Sequence, residues 1–378
     1  RDALELSREL ERLATDYGSE VHIDGSLLAM HLLAENLEPS VEILADIVRR
    51  PRLRYDEFSR RKALRIAAAI AGESEPTQAR DIAMRSALFG VGYGGHPTDG
   101  TRASLESIQY THVATHARAL VVAENSAFVV VGGVEREAVR RALEHAFGNW
   151  GGRARVQVAR VRDAPSEDEI ALVDFPDAPQ SAIALARRAG GVHAPEYFPA
   201  LVFNRAFGEA FGSRLNLNLR ESKGYTYGAR STFVRWEKAG YFGSFASVET
   251  AVTTPSIEAM RDELRRLCTE RPIDERERSE AVEGLLLGLP GRFERAADTA
   301  AQFAELPLFD RPLRWYTAWP EHVGAVDAQE VNAVAQSYCG RPVTVVVAGD
   351  RRAVEPSLAT LGLRVVPYDA QGRRLGMR

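Results

Sequence analysis

The chain has 378 residues, of which 45% are hydrophobic and 26% are charged, and its formal net charge is −4. This length exceeds what one ordinary core accommodates and predicts two or more domains, while the near-neutral charge makes nucleic acid a poor candidate partner. No apolar run reaches the roughly 18 residues that a membrane span requires.

The first predicted element is a helix, LELSRELERLATDYG (4–18), that ends at a glycine. Alternating β-branched, aromatic and polar residues then predict a strand region. A Pro-Ser pair opens the amphipathic helix EPSVEILADIVRR (38–50), with proline in the first turn where its missing N–H does no harm. A further helix follows over 55–72. The strand FVVVGGV (128–134) and a short helix complete this part of the chain.

The same order of elements repeats at an offset of 216 residues. EPSVEILADIVRR aligns with TPSIEAMRDELRR (254–266), and FVVVGGV aligns with TVVVAGD (344–350). Two matches at one offset indicate two homologous halves. The segment 159–168 is charged and contains proline, which is typical of a linker. We therefore predict an α+β protein with a first domain over 1–158 and a second over 169–378, each a mostly antiparallel sheet covered by helices.

The second half begins with about 35 residues that have no counterpart in the first half. By the logic of the repeat, we expect the chain as given to lack the first strands and one helix of its first domain. These residues lead into the long helix VFNRAFGEAFGSRLNLNLRESKG (202–224), which also ends at a glycine. Apolar residues recur at every fourth position of this helix and predict a buried stripe along one face. Its members are Phe207, Phe211, Leu215 and Leu219.

The segment SRLNLNLRESKGYTYG (213–228) predicts the end of that helix, a break and the start of a strand. Arg220 lies in the last helical turn, where a cation suits the helix dipole, and Gly224 suits a helix C-cap. Tyr225 and Tyr227 are expected to point to the same face of the following strand. Arg220 and Tyr227 then lie on either side of one turn, and both can donate hydrogen bonds to a peptide carbonyl.

This segment resembles the second domain of the insulinase/pitrilysin family of zinc peptidases, and most closely the short two-domain branch that includes the mitochondrial processing peptidase. The family phrase is Ser-Arg-Leu, then Leu-Arg-Glu, two residues, Gly, and a tyrosine three further on, and residues 213–227 match it throughout. FGVGYGGHPTDGT (89–101) likewise resembles the family's His-Pro and Gly-Thr loop. The resemblance implies chains of two similar domains that close around a substrate chamber like a clam shell.

The family binds zinc through His-x-x-Glu-His on a first-domain helix and through a glutamate further along the chain. None of the eight histidines stands in such a motif, and the resemblance places that motif before Arg1. It places the later glutamate at Ala69, on the stretch 58–72, which contains no Asp or Glu. Because alanine has no donor atom, we expect a degenerate zinc-site domain, no metal in this chain, and zinc and the general base in a homologous partner subunit.

The resemblance assigns Arg220 and Tyr227 to holding the substrate backbone and stabilising the oxyanion. It therefore implies a non-catalytic, substrate-binding subunit of a heterodimeric zinc metallopeptidase, inactive alone, that hydrolyses peptides. One alternative is a structural or assembly subunit of the same fold. Another is a self-sufficient peptidase, against which the acid-free stretch 58–72 argues. For the pair itself, the alternative is that Arg220 bonds Glu221 while Tyr227 packs on a sheet face.

Two further patterns have ordinary explanations. His112 and His116 are four residues apart on a predicted helix, but no carboxylate separates them, so a solvated helix face is expected. The two cysteines, Cys268 and Cys339, are too few for a disulfide framework. One bridge between them is possible, but two unpaired thiols are the favoured expectation. We expect a soluble bacterial protein, and the sequence leaves open whether it is periplasmic or cytoplasmic.

Overall fold

The computed structural model describes residues 1–155, 157–165 and 167–376; Ser166 of the predicted linker is thus outside the described residues. In order along the first half, the helices and strands are α1 Ala3–Arg12, β1 Asp16–Val21, β2 Ser26–His31, α2 Leu37–Arg49, α3 Tyr55–Gly72, α4 Pro76–Phe89, α5 Arg102–Ser107, α6 Tyr110–Leu120 and α7 Arg136–Phe147.

The second half contains the strands of a larger sheet together with the helices around it. In order, the elements are β3 Glu169–Asp174, β4 Gln180–Ala189, α8 Tyr197–Asn204, α9 Arg214–Asn216, β5 Ala229–Arg235, β6 Gly240–Glu249, α10 Thr253–Leu267, α11 Glu275–Gly288, α12 Ala296–Leu308, α13 Trp315–Gly324, α14 Ala328–Tyr338, β7 Thr344–Gly349, α15 Arg351–Leu358 and β8 Arg364–Tyr368. Among the described residues, no helix combines the length and apolar character needed to cross a membrane.

The chain folds into two compact units that are interleaved along the sequence. The first unit comprises residues 1–64, 105–158 and 289–315, and the second comprises 65–104, 159–288 and 316–378. Helix α4 of the first half therefore belongs to the second unit, and helix α12 of the second half belongs to the first unit. The 216-residue offset relates these two helices to each other. The predicted boundary at 159–168 assumed contiguous domains. An amphipathic pattern identifies a helix but does not say on which sheet it packs.

In the first half, α1 is shorter than predicted. Asp2 caps its start by accepting from the N–H of Glu5, and the helix ends at Arg12 rather than at Gly18. Ala14 adopts a positive φ of 47°, which turns the chain out of the helix. Gly18 consequently lies within β1, which pairs antiparallel with β2.

The predicted strand over 128–134 is not a strand in the structure. Phe128, Val130 and Val131 are exposed, and among the described residues the first half has only the sheet of β1 and β2. This expectation is wrong for a physical reason. An extended segment becomes a strand when neighbouring strands bond its backbone, and no described strand pairs with residues 128–134.

The six-stranded sheet of the second unit has the order β5-β6-β4-β7-β3-β8. The pairs from β5 to β7 are antiparallel, whereas β3 runs parallel to β7 and to β8. Helix α4 packs against β3, β4 and β7, while α8 packs against β5 and α10 packs against β4 and β6. The predicted α+β class is confirmed, with a mostly antiparallel sheet covered by helices.

The two cysteines form a disulfide, so the expectation of two free thiols is wrong. Cys268 follows α10 and Cys339 follows α14. These two helices pack against each other, and the Cα atoms of the cysteines lie 6.4 Å apart, within the separation of about 4.4–6.8 Å that a disulfide spans. The packing of two helices distant in sequence, which composition does not reveal, creates the bridge.

Candidate functional site: an exposed arginine and tyrosine beside an edge strand

The long helix predicted over 202–224 is interrupted. After α8, the chain forms a π-helical turn at Arg205–Glu209, and Ala210 then takes an extended conformation with ψ of 153°. Helix α9 restarts the helical path, and a second π-helical turn runs over Leu217–Ser222. Single π-helical turns occur often at functional sites.

The interruption changes which side chains are buried. Phe207, Leu215 and Leu219 are fully buried as predicted, but Phe211 is 70% exposed. The predicted stripe is therefore wrong at Phe211, because the extended backbone at Ala210 rotates the chain before α9 begins. The break places a large aromatic ring in solvent next to the start of the motif.

Arg214, the arginine of the Ser-Arg-Leu phrase, anchors the restarted helix. Its buried guanidinium forms two bonds with the carboxylate of Glu277, the Nε–Oε1 distance being 2.7 Å, and Nη2 donates to the carbonyl of Pro272 at 2.8 Å. Burial alone would raise the pKa of Glu277, but the hydrogen bonds from Arg214 and from the backbone of Asp274 lower it overall. Sequence reasoning missed this anchor, although Arg214 stands in the quoted phrase.

Two asparagines of the same segment also hold the backbone in place. Asn216 Nδ2 donates to the carbonyl of Phe211 at 2.7 Å, and its Oδ1 accepts from the N–H of Ala229 at 3.3 Å. Asn218 Nδ2 donates to the Glu263 carboxylate at 2.6 Å. The motif is thus fixed to β5 and α10 by polar contacts that spacing alone does not suggest.

Arg220 lies partly exposed on the second π-helical turn. Its Cζ is 4.6 Å from the ring centroid of Phe211, and its Nε is 3.3 Å from Glu221 Oε1. The local ion pair that was the alternative explanation is therefore present. An exposed pair of this kind contributes little stability, so the guanidinium can exchange Glu221 for another acceptor at small cost.

Gly224 ends the helical segment as predicted. It has a positive φ of 66°, and its N–H donates to the Arg220 carbonyl at 3.1 Å while that of Tyr225 donates to the Leu219 carbonyl at 2.8 Å. Thr226 Oγ1 lies 2.8 Å from the carbonyl of Ser247 in β6. These bonds fix the turn to the sheet.

Tyr225 and Tyr227 lie in this turn and not in a strand, because β5 begins only at Ala229. That part of the prediction is wrong. Tyr227 is 95% exposed, so the alternative that it packs on a sheet face is also wrong. The side chain of Tyr227 projects into solvent from a turn whose backbone is anchored on both sides.

Comparisons with known proteins cover the segment that contains this motif. The profile of the peptidase M16 inactive domain matches residues 107–285. An uncharacterized zinc protease of Mycobacterium bovis is 22% identical over 92% of this chain and 80% of its own length. Over this segment the chain is similar to the peptidase M16 family. The predicted resemblance to the insulinase/pitrilysin peptidases is thereby confirmed.

Solved structures show the same fold. A peptidase M16 inactive domain from Pseudomonas fluorescens superposes with a TM-score of 0.83 at 20% identity, covering 93% of this chain and 84% of that one. A protease from Helicobacter pylori gives a TM-score of 0.82 at 16% identity, covering 91% of this chain and 84% of that one. An uncharacterized zinc protease of Mycobacterium leprae is 21% identical over 65% of this chain and 56% of its length.

At the position that the resemblance gives to the later zinc ligand, this chain has no donor atom. Ala69 lies on α3, whose stretch 58–72 contains no carboxylate. Lys62, on the same helix, donates from Nζ to the carbonyls of Glu106 and Ile108, each at 2.7 Å. His112 Nδ1 accepts from the N–H of Gln109. Within 1–155, 157–165 and 167–376, no three His, Cys, Asp or Glu side chains form a group that could hold a metal.

Proposed function

We propose that this chain is the substrate-binding subunit of a heterodimeric zinc peptidase, and that a homologous partner supplies the zinc and the general base. The observation that supports this most is Tyr227, a phenol that is 95% exposed on a turn anchored by Gly224 and Thr226. A side chain so exposed contributes almost nothing to the stability of the hydrophobic core. A ligand that contacts Tyr227 would explain why hydrogen bonds hold the turn beneath this exposed phenol.

Arg220 and Tyr227 would donate hydrogen bonds to carbonyl oxygens of a bound peptide. Arg220 has several N–H donors, and its weak pairing with Glu221 leaves them free to turn toward a substrate. Donors fixed before the reaction stabilise an oxyanion as it develops. The peptide bond itself would be cleaved by groups of the partner, because the stretch 58–72 of α3 contains no Asp or Glu.

The fold offers a place for the rest of the substrate. Strand β5 follows the Tyr227 turn directly and is an edge strand of the six-stranded sheet, since β6 is its only partner among the described strands. An exposed edge can accept an extended peptide as an additional strand. We therefore propose unfolded or extended peptides as the substrate class, held along β5 and directed past Arg220 and Tyr227.

The test is cleavage by the reconstituted pair. The chain is co-expressed with a homologue that carries His-x-x-Glu-His, and kcat/KM is measured on an unstructured fluorogenic peptide. We expect Arg220→Ala combined with Tyr227→Phe to lower kcat/KM about 10²- to 10³-fold, as loss of oxyanion donors does. The control is Tyr17→Phe, an exposed tyrosine of β1. Equal activity of the double variant and the control would support an assembly subunit instead.

A further inference from the structure

A cavity lies at the end of the six-stranded sheet opposite the Tyr227 turn. It measures about 610 Å³ and is open to solvent, and it is bordered by the end of β4, the start of α8 and one side of α14. The Tyr227 turn precedes Ala229, which pairs with Ala246, whereas Arg235 pairs with Gly240 at the opposite end of β5. At about 3.4 Å per residue, roughly 20 Å separates the two sites.

One wall of this cavity is backed by a buried arginine. The side chain of Arg235 is only 6% exposed, and its Nη1 donates to the carbonyl of Gly190 at 2.9 Å and lies 3.5 Å from Glu196 Oε1. Its Nη2 is buried and has no hydrogen-bond partner among the described residues. Gly190 and Glu196 themselves line the cavity, so the Arg235 guanidinium, with its one unpartnered nitrogen, lies behind them.

Two further arginines near the cavity also have unused donors. Arg341 lines the cavity, is exposed, and makes no ion pair with any residue that the structure describes. The Nε of Arg187 is buried and likewise has no partner in that part of the chain. Burial lowers the pKa of Arg187; the charge of Asp168 acts in the opposite direction, and Arg341 adds to the lowering. Arg341 therefore lies close enough to Arg187 to repel it.

Tyr338 lies at the centre of these charges. It lines the cavity, and no hydrogen bond of its hydroxyl is formed within the described residues. Burial raises the pKa of Tyr338 to about 12, and the charges of Arg235, Glu196, Arg341 and Arg187 all act on it. The phenol is thus protonated at every physiological pH and is available as a donor.

The balance of charge around the cavity is positive. The cations are Arg187, Arg235 and Arg341, and the anions are Glu196 and Glu330. Asp168, whose charge also acts on Arg187, is paired with Arg261. Glu330 is in addition occupied in capping α14, where its carboxylate accepts from the N–H of Asp327. Buried or partly buried cations with unused donors are costly unless an anion compensates them.

We propose that this cavity binds a small organic anion through a carboxylate group, which Arg341 and Tyr338 contact directly while Arg235 and Arg187 supply positive charge from behind. The planar guanidinium matches a carboxylate in geometry, and the phenol adds one further donor. A volume of about 610 Å³ is within the range of small-molecule sites. The carboxylate can belong to a free acid or to the C-terminus of a peptide.

The test is isothermal titration of the full chain with succinate, with its neutral analogue succinamide, and with a short peptide in its free-acid and amidated forms. We expect a carboxylate to bind and Arg341→Gln to weaken it about tenfold or more, as loss of a charged hydrogen bond does. Tyr338→Phe should have a smaller effect. Arg352→Gln on α15, an exposed arginine away from the cavity, is the matched control.

Binding of succinate supports a free acid as ligand, and binding of the free-acid peptide without succinate supports a peptide C-terminus. Absence of binding by both carboxylates would overturn the proposal. So would equal binding of succinamide, or equal affinity in Arg341→Gln and Arg352→Gln. Because the readout is binding to this chain alone, it is independent of peptidase activity and of the Arg220 and Tyr227 site.

Discussion

Two segments of nearly the same sequence have opposite fates in this molecule. FVVVGGV in the first half is exposed and unpaired among the described residues, whereas TVVVAG in the second half forms β7, whose six residues are all buried. Strand β7 lies between β3 and β4, which bond both of its edges. The difference shows that β-propensity specifies a strand only where neighbouring strands complete its hydrogen bonds.

The largest expected effect concerns the buried member of this comparison. Val347 lies opposite Leu172 in β3 and Ile183 in β4, so Val347→Asp buries an unpaired charge and should cost more than about 4 kcal/mol of unfolding free energy. The repeat counterpart, Val131→Asp, changes an exposed side chain and should alter it by less than about 0.5 kcal/mol. Urea denaturation measures both, and equal losses would show that 128–134 is a buried strand.

The comparison extends to α3 and α11, which the repeat offset also relates. Glu277 of α11 is paired with Arg214 in a buried position, so Glu277→Gln should cost about 3 kcal/mol because a buried cation is left uncompensated. Glu57 of α3 pairs with Arg60 in solvent, and Glu57→Gln should have no measurable effect. Denaturation of both variants at neutral pH checks this, and a null result for Glu277→Gln would contradict the anchoring role of Arg214.

The same ion pair predicts a pH dependence. The pKa of Glu277 is lowered in the folded chain, so its stabilisation is fully present above the unfolded glutamate pKa of about 4.3 and is lost as the pH falls through the folded pKa. Glu277→Gln should remove this part of the acid-induced loss of stability. Denaturation midpoints of the wild type and the variant, measured from neutral to acidic pH, should therefore converge as the pH falls.

The smallest expected effect concerns the disulfide. In the second half, the bridge between Cys268 and Cys339 links the ends of α10 and α14. The positions that the repeat offset relates to these cysteines in the first half are Arg52 and Ala123, which cannot form such a bridge. Replacing both cysteines by serine should cost about 2 kcal/mol, the low end for a native bridge. Melting with and without reductant checks this. If reductant leaves the wild-type transition unchanged, the two thiols are not joined.

The local patterns of the sequence predicted much of this fold. The predicted amphipathic helices over 38–50 and 254–266 agree closely with α2 and α10, because amphipathic spacing is a property of neighbouring residues. The packing of α4 on the sheet of the second unit and the approach of Cys268 to Cys339 depend on residues far apart in the chain. No local pattern specifies such contacts.

The resemblance to the family phrase named Arg220 and Tyr227 as members of the candidate site, and their role stays a prediction. Gly224 ends the helical segment as expected. The extended backbone at Ala210 exposes Phe211 and divides the predicted helix. The recurrence of apolar residues at every fourth position gives no indication of this break. The placement of Tyr227 before β5 follows from the bond between Thr226 and β6, which the sequence of the turn alone does not determine.

The central claim is that this chain holds a peptide and that another chain provides the zinc. Metal analysis of the protein purified as expressed from its full gene tests it most directly. We expect no stoichiometric zinc in the isolated protein, and about one zinc per pair once the His-x-x-Glu-His partner is bound. About one zinc per chain in the isolated protein, together with peptide cleavage, would show that this chain carries its own catalytic centre.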